Sequence, residues 1–170
     1  RKEFYSIISN EKSEINDQIN LLVIGGSQGA ELFDNKLKKS IISLSKKYKL
    51  NIYQQTSSIS KKNLEDFYNQ NNISYQLFNF EENILKFISN ANLCITRAGA
   101  STLSELTFLN IPYLTIPYPL AKDDHQLRNA LFYKNKNCCW LLKQDELNDE
   151  VLTNNLTNII ENKADYSAKK

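Results

Sequence analysis

One stretch, in which an apolar strand enters a glycine-rich turn and then a helix, constrains the fold of this chain most. Residues 21–24 are apolar and mostly β-favouring, and residues 25–29 hold three of the four glycines in the chain. The apolar residues that follow are spaced three or four positions apart, at the helical period. They are Ala30, Phe33, Leu37, Ile41, Leu44 and Tyr48. The pattern predicts a strand, a glycine loop and a helix over residues 30–48.

This order of elements is typical of a phosphate site. Glycines let a backbone approach an anion closely, and the first amides of a helix point at that anion with the positive end of the dipole. Ser27 and Gln28 add a hydroxyl and an amide at the same place. The loop is neither G-x-G-x-x-G nor a P-loop, so a tight turn without a ligand remains the alternative interpretation.

Composition limits the class of protein. The 170 residues are 41% hydrophobic and 24% charged, with a net charge of +2, which is typical of one soluble globular domain. The scattered lysines do not indicate a nucleic-acid partner, and no apolar run reaches membrane-spanning length. Three cysteines in apolar runs fit a reducing, cytoplasmic compartment and argue against a disulfide framework or a metal site. The absence of methionine indicates an excised domain or a processed fragment.

Strand and helix patterns alternate along the chain. Strands are predicted at residues 20–24, 51–55, 74–78, 93–96, 113–116 and 138–142. Helices are predicted at residues 30–48, 61–69, 82–89, 100–110, 124–133 and 149–160. This alternation predicts an α/β fold: a doubly wound, mostly parallel, Rossmann-like sheet with helices on both faces. We assign residues 1–18 to a linker or lead-in, residues 19–163 to the domain and residues 164–170 to a tail.

A second loop follows the strand at residues 93–96 and leads into a helix that carries Glu105. Leu103, Leu106 and Leu109 mark the buried side of this helix, and Glu105 falls off that stripe. A carboxylate there can accept hydrogen bonds from ribose hydroxyls, as acidic residues do in doubly wound folds, or can be a solvated residue near a helix start. Arg97 is open to two interpretations, a phosphate ligand or a surface cation.

A third loop, residues 117–126, follows the strand at residues 113–116. Asp123 or Asp124 is placed to cap the next helix, whose first turn carries His125 and Gln126. Imidazole and amide groups there can read sugar hydroxyls, or they can belong to an ordinary capped helix start. No G-x-S-x-G motif and no convergent pair of acids indicates a hydrolase.

The three loops together resemble the C-terminal half of the MurG family, the peptidoglycan N-acetylglucosamine transferases of the GT-B class. The residues that carry the resemblance are GGSQGA at 25–30, TRAGASTLSE at 96–105, and DDHQ at 123–126 with Asn129 and Ala130. The resemblance runs from Arg1 to about Lys143. It implies that the family's N-terminal domain meets the membrane and the lipid acceptor, whereas the C-terminal domain holds the nucleotide sugar.

The resemblance also implies a set of substrate-binding residues. They are Arg1, Gly26, Ser27, Gln28, Gly29, Glu81, Arg97, Gly99, Ala100, Thr102, Glu105, His125 and Gln126. Within this set, Ser27 in its glycine loop would hydrogen-bond the diphosphate, and Glu105 would bind the ribose hydroxyls. Gln126 and His125 would face the hydroxyls of the N-acetylglucosamine. The family commonly carries glutamine at position 125.

Arg1 and Glu81 complete the implied site. Arg1 matches the last residue of the family's Asn-Pro-x-Arg segment and would reach the phosphates. The backbone near Glu81 would contact the uracil edge. No metal and no cofactor is implied.

The expected function is transfer of N-acetylglucosamine from UDP-N-acetylglucosamine to lipid I, giving lipid II in peptidoglycan synthesis. The family's chemistry is inverting. The full-length protein would be peripheral on the cytoplasmic face of the bacterial inner membrane. The catalytic base would belong to the N-terminal acceptor domain, so we expect this chain to bind the donor without transferring it.

Three alternatives stay open. The chain can be a donor-binding subunit of a two-chain transferase, part of a UDP-sugar 2-epimerase of similar fold, or a non-catalytic UDP-sugar-binding remnant. The Asp-Asp-His-Gln segment at residues 123–126 favours the MurG family over the epimerase.

Overall fold

The structure is a computed structural model that describes residue 15, residues 18–79 and residues 84–170. For residues 26–30 the description covers the helix that they form and not their side chains. All statements below refer to these parts of the chain.

Six parallel strands form one sheet in the order β3-β2-β1-β4-β5-β6. The strands are β1 (Gln18–Ile24), β2 (Lys49–Gln55), β3 (Ser74–Phe78), β4 (Leu93–Thr96), β5 (Tyr113–Thr115) and β6 (Cys139–Leu141). This is the strand order of a doubly wound Rossmann fold, so the predicted fold class is confirmed. All six predicted strands are present, and two of them, β3 and β4, have the predicted bounds. The order reverses between β1 and β4, which makes the carboxyl end of that pair the switch point.

Eight helices connect and cover the strands in the described part of the chain. They are α1 (Gly26–Lys36), α2 (Lys38–Ser45), α3 (Lys61–Gln70), α4 (Leu85–Ile88), α5 (Ala100–Phe108), α6 (His125–Asn135), α7 (Asp149–Glu161) and α8 (Lys163–Ser167). Single turns of 3₁₀ helix cover Lys122–Asp124 and Gln144–Glu146. The predicted helix at residues 82–89 begins at residues outside the described part, and its described portion is α4.

The structure corrects the first predicted helix in two ways. The glycine segment is not a separate loop, because α1 begins at Gly26 and includes Gly29. The predicted helix over residues 30–48 is also divided at Leu37 into α1 and α2. Leu37 keeps a helical backbone and is buried with Phe33 and Ile41, so the apolar stripe runs through the break. Apolar spacing therefore could not reveal the division.

The core lies on both faces of the sheet. Alternate strand residues point to opposite faces, so Leu21 and Val23 of β1 join one apolar cluster and Leu22 joins the other. The first cluster includes residues of α1, α2, α3, α7 and α8. The second includes residues of α4, α5 and α6. Helices thus cover both faces and leave the carboxyl edge of the strands for the loops.

The chain's end packs against the sheet. Helix α8 begins at Lys163 and runs into residues 164–170, the segment that the sequence suggests as a tail, and its Tyr166 is buried. The Tyr166 hydroxyl donates a hydrogen bond to the backbone carbonyl of Asn92, just before β4. Trp140 of β6 donates its indole N–H to the Asp165 carboxylate at 2.7 Å. In the part of the chain that the structure describes, no helix has the length and apolar character needed to cross a membrane.

Candidate functional site at the switch point

Two helix N-termini lie side by side at the carboxyl edge of the sheet. Helix α1 follows β1 and helix α5 follows β4, and the two strands pair in parallel with Ile24 opposite Thr96. The residues at the two N-cap positions are glycines, Gly25 and Gly99, and no side chain caps either helix. The first amides of a helix have no intrahelical partner, so two sets of donors converge here. Such an edge is suited to an anion with two phosphate groups.

The glycine segment contributes its backbone to this edge. Gly25 is buried at the end of β1, and Gly26, Ser27, Gln28 and Gly29 form the first turn of α1. The Arg97 amide donates to the Ile24 carbonyl at 3.2 Å, so the end of β1, next to the glycine segment, is in direct contact with the second loop. The diphosphate role of Ser27 and the parts given to Gly26, Gln28 and Gly29 stay predictions.

Arg97 ties the second loop to the third. Its Nη1 donates to the backbone carbonyls of Ile116 at 2.9 Å and Pro117 at 3.2 Å. Its guanidinium lies between two aromatic rings, 5.3 Å from the centroid of Phe33 and 5.5 Å from that of Tyr118. Arginine provides a planar cation with several donors, which suits stacking and carbonyl binding at once. The side chain thus joins α1 and the two loops.

Burial gives Arg97 an unusual environment for a cation. It is 7% exposed, and burial lowers the pKa of its guanidinium. The interpretation as a surface cation is therefore wrong, because the side chain is enclosed by the loops that it joins. Its Nε is buried and has no hydrogen-bond acceptor among the described residues. Whether the same group also contacts a phosphate stays a prediction.

The second loop carries the remaining predicted residues of α5. Gly99 is the N-cap residue, Ala100 opens the helix, and Thr102 lies in the first turn. The first backbone bond of the helix runs from the Leu103 amide to the Gly99 carbonyl at 3.0 Å. Glu105 follows in the second turn and is partly buried, off the stripe of Leu103, Leu106 and Leu109. These positions are on the edge where the resemblance requires them, and their ligand contacts stay predictions.

Two amide side chains fix the helix that follows the third loop. Asn129 donates to the Ala98 carbonyl at 3.1 Å, which holds α6 against the second loop. Gln126 accepts a hydrogen bond from the Tyr118 amide at 3.0 Å through Oε1. Because Oε1 is engaged with the backbone, the NH₂ group of Gln126 is the end that can donate to a ligand. The predicted sugar contact of Gln126 would therefore be through a donor.

The start of α6 differs from the prediction. Asp124 occupies the N-cap position, but neither it nor Asp123 caps the helix, and both backbones are left-handed with φ of 52° and 53°. The predicted aspartate cap is therefore wrong, because a capping residue needs an extended backbone and these two aspartates have left-handed ones. His125 Nδ1 instead lies 2.8 Å from the Lys122 carbonyl. A carbonyl only accepts, so Nδ1 carries a proton, and in the tautomer with a single ring proton Nε2 is an acceptor.

The described part of the chain leaves out two predicted site residues. Arg1, with its predicted phosphate contact, and Glu81, with its predicted uracil contact, both lie outside the described residues. Their roles stay predictions.

Sequence reasoning missed a buried polar cluster next to the glycine segment. Asp34, two turns into α1, accepts hydrogen bonds from Gln54 Nε2 at 2.7 Å and from Thr56 Oγ1 at 2.8 Å. Tyr68 of α3 donates to the Gln54 carbonyl oxygen, which completes the cluster. Burial raises the pKa of the Asp34 carboxyl, although the Thr56 and Gln54 hydrogen bonds oppose this change. The sequence signal was polar residues where the α1 and β2 patterns call for apolar ones.

The described part of the chain shows no group of three or more His, Cys, Asp and Glu residues arranged to hold a metal ion. Cys94 and Cys139 are buried within strands, and burial raises the pKa of the Cys139 thiol to about 11. A thiol with such a pKa stays protonated at neutral pH and is a poor nucleophile.

A cavity of about 270 Å³ adjoins the third loop. It lies between that loop and the segment after β6, next to but not including His125 and Gln126. Its walls are Pro117, Tyr118, Pro119, Asp124, Leu127, Lys143, Gln144 and Asp145.

Comparison with known proteins relates the chain to one family of glycosyltransferases. The family model described as glycosyltransferase family 28 C-terminal domain matches residues 20–170. A relative from Pelagibacter ubique (strain HTCC1062) is 52% identical over 170 residues, which cover 100% of this chain and 47% of the relative. A relative from Rickettsia bellii (strain RML369-C) is 38% identical over 145 residues, covering 84% of this chain and 41% of the relative. Both are named UDP-N-acetylglucosamine--N-acetylmuramyl-(pentapeptide) pyrophosphoryl-undecaprenol N-acetylglucosamine transferase.

Solved structures agree with this placement. The crystal structure of Acinetobacter baumannii MurG matches with a TM-score of 0.77 and 26% identity, covering 98% of this chain and 48% of that one. A UDP-GlcNAc 2-epimerase from Neisseria meningitidis, solved with UDP-GlcNAc bound, matches with a TM-score of 0.60 at 14% identity over 99% of this chain and 42% of that one. At that identity the second likeness shows the fold alone.

The chain spans about half the length of the curated relatives that it matches. The family model covers nearly all of it, and the resemblance to MurG found in the three loops is confirmed. The chain therefore belongs to the glycosyltransferase family 28 C-terminal domain family, as one Rossmann-like half of a GT-B fold.

Proposed function

We propose that this chain is the donor-binding half of a glycosyltransferase that moves N-acetylglucosamine from UDP-N-acetylglucosamine to lipid I, giving lipid II. The observation that carries the proposal is the pair of glycine-started helix N-termini at the switch point, α1 beside α5. The names of the 52% and 38% identical relatives support the donor and the acceptor class.

The proposed chemistry is displacement of UDP from the anomeric carbon by the acceptor hydroxyl, with inversion. The leaving diphosphate gains negative charge in the transition state. Fixed amides and helix dipoles aimed at it stabilise that charge without reorganisation. In this proposal the amides of α1 and α5 do this work, with Ser27 adding a hydroxyl.

The other proposed contacts rest on the chemistry of three side chains. Glu105 would accept hydrogen bonds from the ribose hydroxyls, since a carboxylate is an acceptor for two adjacent donors. Gln126 would donate its NH₂ group to the sugar, because the Tyr118 amide occupies its oxygen. His125 would accept at Nε2, because Nδ1 donates to the Lys122 carbonyl. Gln126 and His125 would thus offer a donor and an acceptor side by side, which suits the hydroxyl and acetamido groups of an N-acetylated sugar.

Ligand-induced stabilisation tests the donor assignment. A ligand that binds the folded state raises the thermal midpoint by mass action. We expect UDP-N-acetylglucosamine to raise it more than UDP-glucose, UDP-N-acetylgalactosamine or dTDP-glucose at equal concentration. Equal shifts with all four would contradict the proposed sugar and base selectivity.

A transfer assay tests the division of labour. We expect the chain alone to give no lipid II from lipid I and donor, since the base that deprotonates the acceptor is proposed to lie in the N-terminal domain. Transfer by the isolated chain would overturn that part of the proposal.

A further inference from the structure

One peptide group of the third loop is hydrogen-bonded on both sides. The carbonyl of Pro117 accepts from Arg97 Nη1 at 3.2 Å, and the N–H of the same peptide group, that of Tyr118, donates to Gln126 Oε1 at 3.0 Å. We propose that Arg97 and Tyr118 are positioning residues, which act through this peptide group to orient the Gln126 carboxamide towards the sugar of the donor. The inference rests on the proposed function, because that function supplies the sugar.

The geometry of a peptide group explains how it connects the two side chains. The group is planar, and in its usual trans form the carbonyl and the N–H point in opposite directions. The Arg97 guanidinium and the Gln126 carboxamide therefore lie on opposite sides of one rigid unit. A charged donor on the carbonyl also polarises the group, which strengthens the hydrogen bond that the N–H donates.

The sequence around this peptide group leaves it few alternatives. Pro117 and Pro119 have no backbone N–H, so the Tyr118 amide is the one backbone donor in the Pro-Tyr-Pro segment. Each proline ring also fixes its own φ at about −65°, which restricts how the segment turns. The segment thus presents a single donor in a restricted direction, and that donor is paired with Gln126.

Arg97 holds this segment to the rest of the site. Besides the Pro117 carbonyl, its Nη1 binds the carbonyl of Ile116 at 2.9 Å, and its guanidinium lies 5.5 Å from the centroid of the Tyr118 ring. The backbone amide of Arg97 is bonded to the Ile24 carbonyl at the end of β1. The direction of the Tyr118 amide is therefore set from the switch point, through one buried arginine.

The helix that carries Gln126 is fixed by a separate contact. Asn129 of α6 donates to the Ala98 carbonyl at 3.1 Å, so the backbone of α6 is held without the Tyr118 amide. The terminal torsion of a glutamine is broad and roughly two-fold, so its oxygen and its NH₂ group can exchange places. An N–H only donates, so the Tyr118 amide selects the oxygen and leaves the NH₂ group for an acceptor oxygen of the sugar.

Amide hydrogen exchange, followed by NMR, tests the positioning step without any ligand. Arg97→Lys removes the planar fork that holds the Pro117 carbonyl. We expect exchange at the Tyr118 amide to rise at least about fivefold relative to exchange at the Cys94 amide of β4, which is bonded to the Pro112 carbonyl. A general loss of stability would raise both exchange rates together.

Calorimetry with UDP-N-acetylglucosamine and with UDP tests the consequence for binding. The ratio of the two affinities isolates the contribution of the sugar, because both ligands contain the same nucleotide. We expect Tyr118→Leu and Arg97→Lys each to lower this ratio about fivefold, which corresponds to one net hydrogen bond. A residue that only supported the fold would lower both affinities alike and leave the ratio unchanged.

Phe132→Leu is the matched control. It also replaces an aromatic ring beside a cation with leucine, since the Lys136 ammonium lies 5.0 Å from the centroid of the Phe132 ring. Phe132 is 56% exposed on α6 and has no part in the proposed site. We expect this control to keep both the affinity ratio and the exchange ratio of the unaltered chain.

Two results would overturn the inference. They are an unchanged exchange ratio in Arg97→Lys and an unchanged affinity ratio in Tyr118→Leu. A different result separates the inference from the proposed function. If the unaltered chain binds UDP and UDP-N-acetylglucosamine equally, the sugar assignment fails and the selectivity role fails with it, whereas the exchange ratio still shows whether Arg97 orients the Tyr118 amide.

Discussion

Arg97 is the residue on which the geometry of the candidate site depends. Its guanidinium holds two carbonyls of the third loop and stacks on Phe33 and Tyr118. A hydrogen bond from a charged donor contributes about 1.5–3 kcal/mol to stability. Loss of this cation would therefore affect both the fold and the candidate site.

We predict that Arg97→Met lowers the free energy of unfolding by about 2–3 kcal/mol, because it leaves two buried carbonyls without their donor. Arg97→Lys should cost less, since one carbonyl stays within reach of the ammonium but the planar stacking is lost. Urea unfolding measures both. If Arg97→Met keeps full stability yet loses UDP-sugar binding, the residue is a phosphate ligand and not a brace.

A substitution at Gly99 distinguishes the requirements of the fold from those of ligand binding. Its backbone, with φ of −70° and ψ of 132°, is one that any residue adopts, and an added Cβ would meet Thr102 Oγ1 at an ordinary 3.8 Å. The fold therefore does not require glycine here. A ligand that lies close to this backbone would require glycine at this position.

We accordingly predict that Gly99→Ala changes the free energy of unfolding by less than about 1 kcal/mol, because the restriction of the unfolded chain by alanine and the preference for glycine over alanine at an N-cap position oppose each other. Donor affinity should fall about tenfold or more, since the methyl group occupies the ligand's approach. Urea unfolding and calorimetry check the two parts. Unchanged affinity would place the diphosphate away from the start of α5.

Asp34 gives a pH dependence whose sign follows from burial. Its pKa is raised in the folded state, so the folded chain loses stability as pH rises from the ordinary aspartate range through the raised value. Asp34→Asn cannot ionise. We predict that the free energy of unfolding of Asp34→Asn increases relative to that of the unaltered chain as pH rises from about 4 towards 7.

Urea unfolding at a series of pH values measures this difference. Asp66→Asn on the exposed face of α3 is the control, since its carboxylate is solvated. Parallel pH profiles for Asp34→Asn and the unaltered chain would show that burial of Asp34 has no energetic effect.

At the scale of elements, the strands were the most predictable part. A short apolar run bounded by turns locates β4 to the residue, because a strand buried on both faces needs a continuous apolar sequence. The edge strand β3 is located to the residue by its alternation of polar and apolar residues instead. Helix breaks and caps were less predictable. Leu37 divides two helices without leaving the apolar stripe, and Asp124 occupies a cap position with a left-handed backbone.

Helix α8 shows how far tertiary contacts reach. Its residues 163–167 have little helical pattern of their own, and it is held by Tyr166 and Asp165 through partners in distant elements. Such contacts join positions about 25 and 74 residues apart, which local sequence patterns do not reveal.

We predict that Tyr166→Phe costs about 1 kcal/mol, because the Asn92 carbonyl loses a donor. Tyr166→Ala should cost about 3 kcal/mol or more, since the ring is buried in the first core cluster. Denaturant unfolding measures both. If Tyr166→Ala leaves stability unchanged, α8 contributes nothing to the core.

For the whole molecule, sequence predicted the class of fold, because alternation of strands and helices fixes it, and it placed the candidate site at the carboxyl edge of the sheet. It did not predict how that edge is held together. Arg97, Asn129 and Asp34 act through partners in other elements, and their roles appear only when the chain is folded.

The most direct test of donor binding is a calorimetric titration of the chain with UDP-N-acetylglucosamine, repeated with Glu105→Ala. Glu161→Ala, at the end of α7 and paired only with surface groups in the described structure, is the matched control. We predict saturable binding by the unaltered chain and by Glu161→Ala, and loss of at least about tenfold in affinity with Glu105→Ala. Equal affinity in all three would contradict the assignment of Glu105 to the ribose and with it the proposed site.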